Sequence, residues 1–149
     1  MADRNTLIRD ILFFLKDQLS TNITDPISSN RGNSSKFVMT SFPEREVKYP
    51  LITLEVVGDE RTRAGMQSTN TDVSLTIEIR VWSKSLTQTD KLSQNVLDFL
   101  ADIQFTASTG SIANDFHDFT IGSVVPINEL GKGATKSKVI QLNYSFFNI

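Results

Sequence analysis

Between residues 72 and 82 the chain alternates without interruption. Val73, Leu75, Ile77, Ile79 and Val81 are apolar, and Ser74, Thr76, Glu78, Arg80 and Trp82 stand between them. Side chains change face at every residue of a strand, so this spacing predicts a strand over Asp72–Trp82 with one buried face. Full burial of each such apolar side chain is worth about 1.5–3 kcal/mol, an upper bound because unfolded chains are already partly collapsed. Together they rival the roughly 5–15 kcal/mol net stability of a whole domain, which places this strand at the centre of its sheet. A slip of one residue would turn every one of them to water, so its register is strongly fixed.

The other elements follow from the same reading. Leu7, Ile8, Ile11, Leu12, Phe14, Leu15 and Leu19 recur every three or four positions, predicting an amphipathic helix over residues 4–19 with Asp3 as candidate N-cap. Residues 22–36 are rich in Ser and Asn and read as a long loop. Phe37–Ser41 fits a short edge strand, and Pro43 and Pro50 bracket a segment that cannot be an interior strand. The β-branched run Leu51–Val57 is a strand. Residues 58–71 hold almost nothing to bury and join two strands that pair antiparallel, which predicts a hairpin with a long projecting arm. Thr87–Asp90 resembles a capping box ahead of a second helix near 88–104, with Leu92, Val96, Phe99, Leu100 and Ile103 at helical spacing. After a small-polar loop at 106–114, residues 117–125 alternate as a strand ended by Pro126. Glu129–Thr135 is a glycine-bearing turn, and Ile140, Leu142, Tyr144 and Phe146 mark the last strand. Strands arrive in hairpin-like pairs rather than βαβ units. The expected fold is one α+β domain over residues 1–149, a mainly antiparallel sheet of four to five strands with two helices packed on one face.

Composition narrows the function classes. At 149 residues, 39% hydrophobic and 21% charged, the chain is long enough for one well-cored globular domain. A net charge of −2 argues against a dedicated nucleic-acid binder, though not against a local basic patch. Without cysteine there is no disulfide, thiolate chemistry or Cys-ligated metal. The apolar run Ile11–Leu15 is too short to span a bilayer, and Lys16 and Asp17 follow at once, so neither a membrane span nor a signal peptide is expected.

Candidate chemistry is sparse. His117, the only histidine, is flanked by Asp115 and Asp118, and a solvated turn explains it as well as a metal or acid–base centre, which needs several converging ligands. Gly131-Lys132-Gly133 lacks phosphate-loop spacing and precedes a strand, so it reads as a hairpin turn. Asp98 and Asp102 share a helix face without any sign of a cleft. Arg61, Arg63, Lys132, Lys136 and Lys138 would form a basic patch if the fold gathered them, against a bland alternative of solvated surface near Asp59 and Glu60. Trp82, on the polar face of its strand, either lies under another element or anchors an interface. No enzymatic site emerges, and no cofactor or metal is implied.

The stretch Tyr49-Pro-Leu-Ile-Thr-Leu-Glu55, a polar arm, V-S-L-T-I-E-I-R-V-W-S-K-S at 73–85 and the helix Thr87–Ile103 with Asp90, Leu92, Val96 and Leu100 stand between an N-terminal helix and two closing strands. In this order the chain resembles the tail-terminator, tail-completion and tail-to-head joining proteins of long-tailed bacteriophages and related tailed viruses. The resemblance implies a structural virion protein, not an enzyme, assembled in the host cytoplasm and located at the tail–neck region. It would cap the last ring of the tail tube, end polymerisation and join the tail to the neck or head. Its partners would be copies of itself in a hexameric ring, the tail tube protein and a neck or head-completion protein, with DNA passing through without sequence-specific binding. Inter-subunit or tube contacts would fall on edge strands and the arm, with Arg61, Arg63, Met66 and Trp82 as candidate residues. Two other readings stay open: a neck or head-completion adaptor, and a nucleic-acid-binding packaging accessory using the basic residues. A small hydrolase would need a pocket converging on His117.

Overall fold

The computed structural model describes residues 7–27, 36–40, 48–63, 65–66, 71–107, 118–128 and 135–148. Helix α1 (Leu7–Asn22) leads to β1 (Val38–Met39), β2 (Leu51–Arg63) and β3 (Thr71–Ser83). Helix α2 (Leu86–Ala107) follows, then β4 (Asp118–Asn128) and β5 (Lys136–Asn148). Among the described residues these strands form one five-stranded sheet in the order β1-β2-β3-β5-β4. Only β1 runs parallel to its neighbour; the other ladders are antiparallel, making the fold α+β with a mixed sheet.

The alternating strand takes the central position for the reason its sequence gives. Leu75, Ile77, Ile79 and Val81 are fully buried and Val73 nearly so. Residues directly paired across a ladder share a face, so Ile52 and Leu54 of β2 and Ile140, Leu142 and Tyr144 of β5 join that face through their pairing with β3. Leu15 and Leu19 of α1, with Leu92, Val96 and Leu100 of α2, close over it in one hydrophobic cluster. Helix α1 packs on β1 and β2, and α2 on β3, β5 and β4.

Several boundaries move. Helix α1 runs to Asn22, whose side-chain amide donates to the Gln18 carbonyl one turn back at 2.8 Å. Its start, including Asp3, lies outside the described residues. Helix α2 begins before the expected Thr87 cap, and the cap is Ser85. The Gln88 amide donates to Ser85 Oγ at 3.5 Å. The reciprocal half is relayed, since the Ser85 amide donates to Ser83 Oγ at 3.1 Å and that hydroxyl donates to Gln88 Oε1 at 2.7 Å.

Strand β4 does not stop at Pro126 but continues to Asn128. Its only strand neighbour among the described residues is β5, so a residue without an N–H is tolerated on its outer side. The largest change concerns residues 58–71. Gly58–Arg63 pair with Thr76–Thr71 as the second half of β2, and the link between strands shrinks to residues 64–70. Backbone pairing needs no apolar side chains, so a polar stretch extends a ladder that hydrophobic patterning would have ended.

Candidate assembly surface

The β2–β3 hairpin carries a bulge between Val56 and Gly58, where Val57 has no partner on β3. Before it, the even-numbered residues Ile52, Leu54 and Val56 oppose Val81, Ile79 and Ile77 on the core face. After it the parity reverses: Glu60 opposes Ser74, and Arg61 opposes Val73. Arg61 therefore shares the core-side face with buried Val73, at the rim of the hydrophobic cluster, and Arg63 lies two residues further on the same face. Glu55, Glu60 and Glu78 all fall on the helix-free face. One extra residue thus carries Arg61 and Arg63 to the core-side face and Glu60 to the helix-free face, which Arg80 shares with Glu55 and Glu78.

Every side chain from Glu60 to Arg63 is exposed although each backbone position is paired. Met66 is 93% exposed, and the Arg63 guanidinium donates to its carbonyl at 3.4 Å. Val57, flanked by these charges, is about half exposed at 47%. The sequence reading named Arg61, Arg63 and Met66 but missed Glu55, Val57 and Glu60. The available signal was Gly58, because a glycine inside a strand pattern marks a bulge.

Trp82 lies elsewhere. Thirteen residues of β3 separate the two ends of the strand, roughly 40 Å at 3.3 Å per residue. The indole is half-buried opposite Leu51, and its Nε1 donates to Thr53 Oγ1 at 3.0 Å. The Arg80 guanidinium stacks over the ring, 4.9 Å from its centroid. These contacts are all within its own sheet, so the structure joins Arg61, Arg63 and Met66 at one end and leaves Trp82 at the other.

The basic patch is divided in the same way. Arg63 pairs with Thr71 at one end of β3, and Lys136 pairs with Ser83 at the other. Lys138 approaches Asp90 of α2 at 3.6 Å. Asp98 accepts from Gln94 Nε2 at 2.9 Å on an exposed helix face, and Asp102 is likewise exposed. His117, Asp115, Lys132 and the Gly131–Gly133 turn lie outside the described residues. Among the described residues no group of three or more His, Asp or Glu could hold a metal ion, and no helix is long and apolar enough to cross a membrane. No protein-family model matches the chain, and no curated protein matches its sequence.

Proposed function

We propose that this chain is a structural assembly protein of a tailed virus, which closes as a ring on the end of the tail tube, ends its polymerisation and joins the tail to the neck or head. The observation that carries this reading is the distal half of β2, where Glu60–Arg63 are held in a fully paired ladder with every side chain in water. A strand that buries nothing within its own chain presents an ordered surface to others, and on this reading the hairpin end is a projecting contact arm. The ring of six, the tube partner and the passage of DNA come from the family resemblance.

A neck or head-completion adaptor is the nearest alternative and differs only in which partner docks. The nucleic-acid accessory reading is weakened by the division of the basic residues between the two ends of β3, since a phosphate-binding footprint needs clustered, unopposed charge. The deciding experiment adds the purified protein to polymerising tail tube protein and measures tube length by negative-stain microscopy, alongside mass by light scattering. Shortened, capped tubes and six-subunit rings are the expected results. Protein that neither co-sediments with tubes nor alters their length overturns the reading.

A further inference from the structure

The two halves of β2 are held to the molecule differently. Ile52 and Leu54, before the bulge, are fully buried, so that half cannot leave β3 without exposing the core. Past the bulge, Glu60–Arg63 are paired in the ladder and all of their side chains are exposed. Such a segment lies at the low end of local stability in a fold, because opening it uncovers little apolar surface. Strand β3 does not depend on it. Thr71–Ser83 pair with β5 along their whole length, and Val73 and Leu75 are buried in the cluster under the helices. The bulge already interrupts the ladder at Val57, and Gly58 beside it has no Cβ to restrict its dihedral angles. We propose that residues 58–63 form a hinged strap, which unzips from β3 at the bulge and recloses while the first half of β2 and the β3–β5–β4 sheet stay folded. Opening needs neither a second copy of the chain nor a tail tube, so it is independent of the assembly role.

The ladder fixes which amides report the opening. The Ile52 amide donates to the Phe37 carbonyl at 2.7 Å, so it faces β1 and not β3. Directly opposed residues of an antiparallel ladder alternate between pairs that exchange hydrogen bonds and pairs that do not. Thr53–Arg80 and Glu55–Glu78 are therefore hydrogen-bonded pairs, and beyond the extra residue so are Glu60–Ser74 and Thr62–Asp72. On the same strand the amides of Val73 and Leu75 face β5. Residue-resolved hydrogen exchange on the full chain, followed by NMR, tests the strap. Glu60, Thr62, Asp72 and Ser74 should show protection factors on the order of a hundredfold below those of Thr53, Glu55, Glu78 and Arg80. Val73 and Leu75 should stay as protected as the second group, although they stand among the fast positions in sequence. Equal protection in the two halves of β2 overturns the strap. Loss of protection at Val73 and Leu75 together with their neighbours also overturns it, since the whole end of the sheet would then be opening.

A reversible clamp separates opening from simple access of water. The chain has no cysteine, so Arg63→Cys with Thr71→Cys introduces one pair, directly opposed beside the hydrogen-bonded Thr62–Asp72 pair. Cα atoms of a non-hydrogen-bonded pair lie about 4.5 Å apart, within disulfide range. On oxidation, protection at Glu60, Thr62, Asp72 and Ser74 should rise by about tenfold or more, and reduction should reverse the gain. Protection that is the same in the oxidised and reduced variant overturns the strap, because exchange would then not require the end of the ladder to part.

Discussion

Glu55 and Glu78 stand directly opposite each other across the β2–β3 ladder, two carboxylates on one face. Like charges in this position repel. Arg80, two residues along β3, sets its guanidinium 3.1 Å from Glu78 and stacks on Trp82. Its Nε is buried without a hydrogen-bond partner, which subtracts from the gain. Arg80→Met should therefore cost about 1–2 kcal/mol, combining a partly exposed ion pair with a cation–π contact. Urea denaturation is the measurement, and adding Glu78→Gln should recover part of the loss. No recovery would mean that the stacking on Trp82, and not the charge, carries the effect.

Ser83 is fully buried and relays the cap of α2 between the Ser85 amide and the Gln88 side chain. Ser83→Ala should destabilise the protein by about 1–2 kcal/mol, the range for losing a cap and stranding buried polar groups. Thr87→Ala should be close to neutral in the same thermal-melt series, because Thr87 lies past the cap and is exposed.

The two glycines of the paired strands should respond oppositely to alanine. A Cβ on Gly58 would lie 3.6 Å from Thr76, an ordinary contact, so Gly58→Ala should be neutral or stabilising by about 0.4–1 kcal/mol through the unfolded chain. A Cβ on Gly122 would lie 3.1 Å from Asn143 Nδ2 and 3.3 Å from the Gln141 carbonyl oxygen. Asn143 also accepts from Thr76 Oγ1 at 3.2 Å, so its side chain is held in place. Gly122→Ala should cost about 1 kcal/mol or more by crowding. Equal shifts in the denaturation midpoint would contradict the assignment.

Pro126 interrupts an otherwise apolar edge in which Val125 and Ile127 are 46% and 43% exposed. Proline on an outer strand blocks pairing with other chains, as does the irregularity between Ile121 and Val124. Pro126→Val should leave the melting temperature within a few degrees but promote aggregation, read as a rise in scattered light on incubation. Unchanged solubility would show that the edge is guarded by something else.

Wherever burial dictates the pattern, the sequence was sufficient. The period-two run in β3 announced a central strand, the spacing of Leu92, Val96 and Leu100 announced α2, and the short run Phe37–Ser41 fitted an edge strand, of which Val38–Met39 pair with β2. Each of these is a statement about which side chains leave water, and that preference is written locally. Where backbone pairing or one inserted residue dictated the result, the pattern fell short. Residues 58–63 bury nothing, so their hydropathy reads as loop, yet a ladder of hydrogen bonds to residues 71–76 makes them strand.

The candidate surface shows the same division. Arg61, Arg63 and Met66 could be picked from the sequence as charged and apolar residues with nothing to bury them. Extending the even-in parity of Ile52, Leu54 and Val56 would have put Glu60 toward the core and the arginines on the helix-free face. The bulge at Val57 reverses this. A β-bulge is a property of two paired strands and not of one, because it exists only as a mismatch in count between partners. The sequence alone therefore determined the central strand, the helices and the composition of the hairpin. Only the tertiary structure decided which face each charge occupies, that Trp82 belongs to its own sheet, and that the basic residues stand at opposite ends of β3.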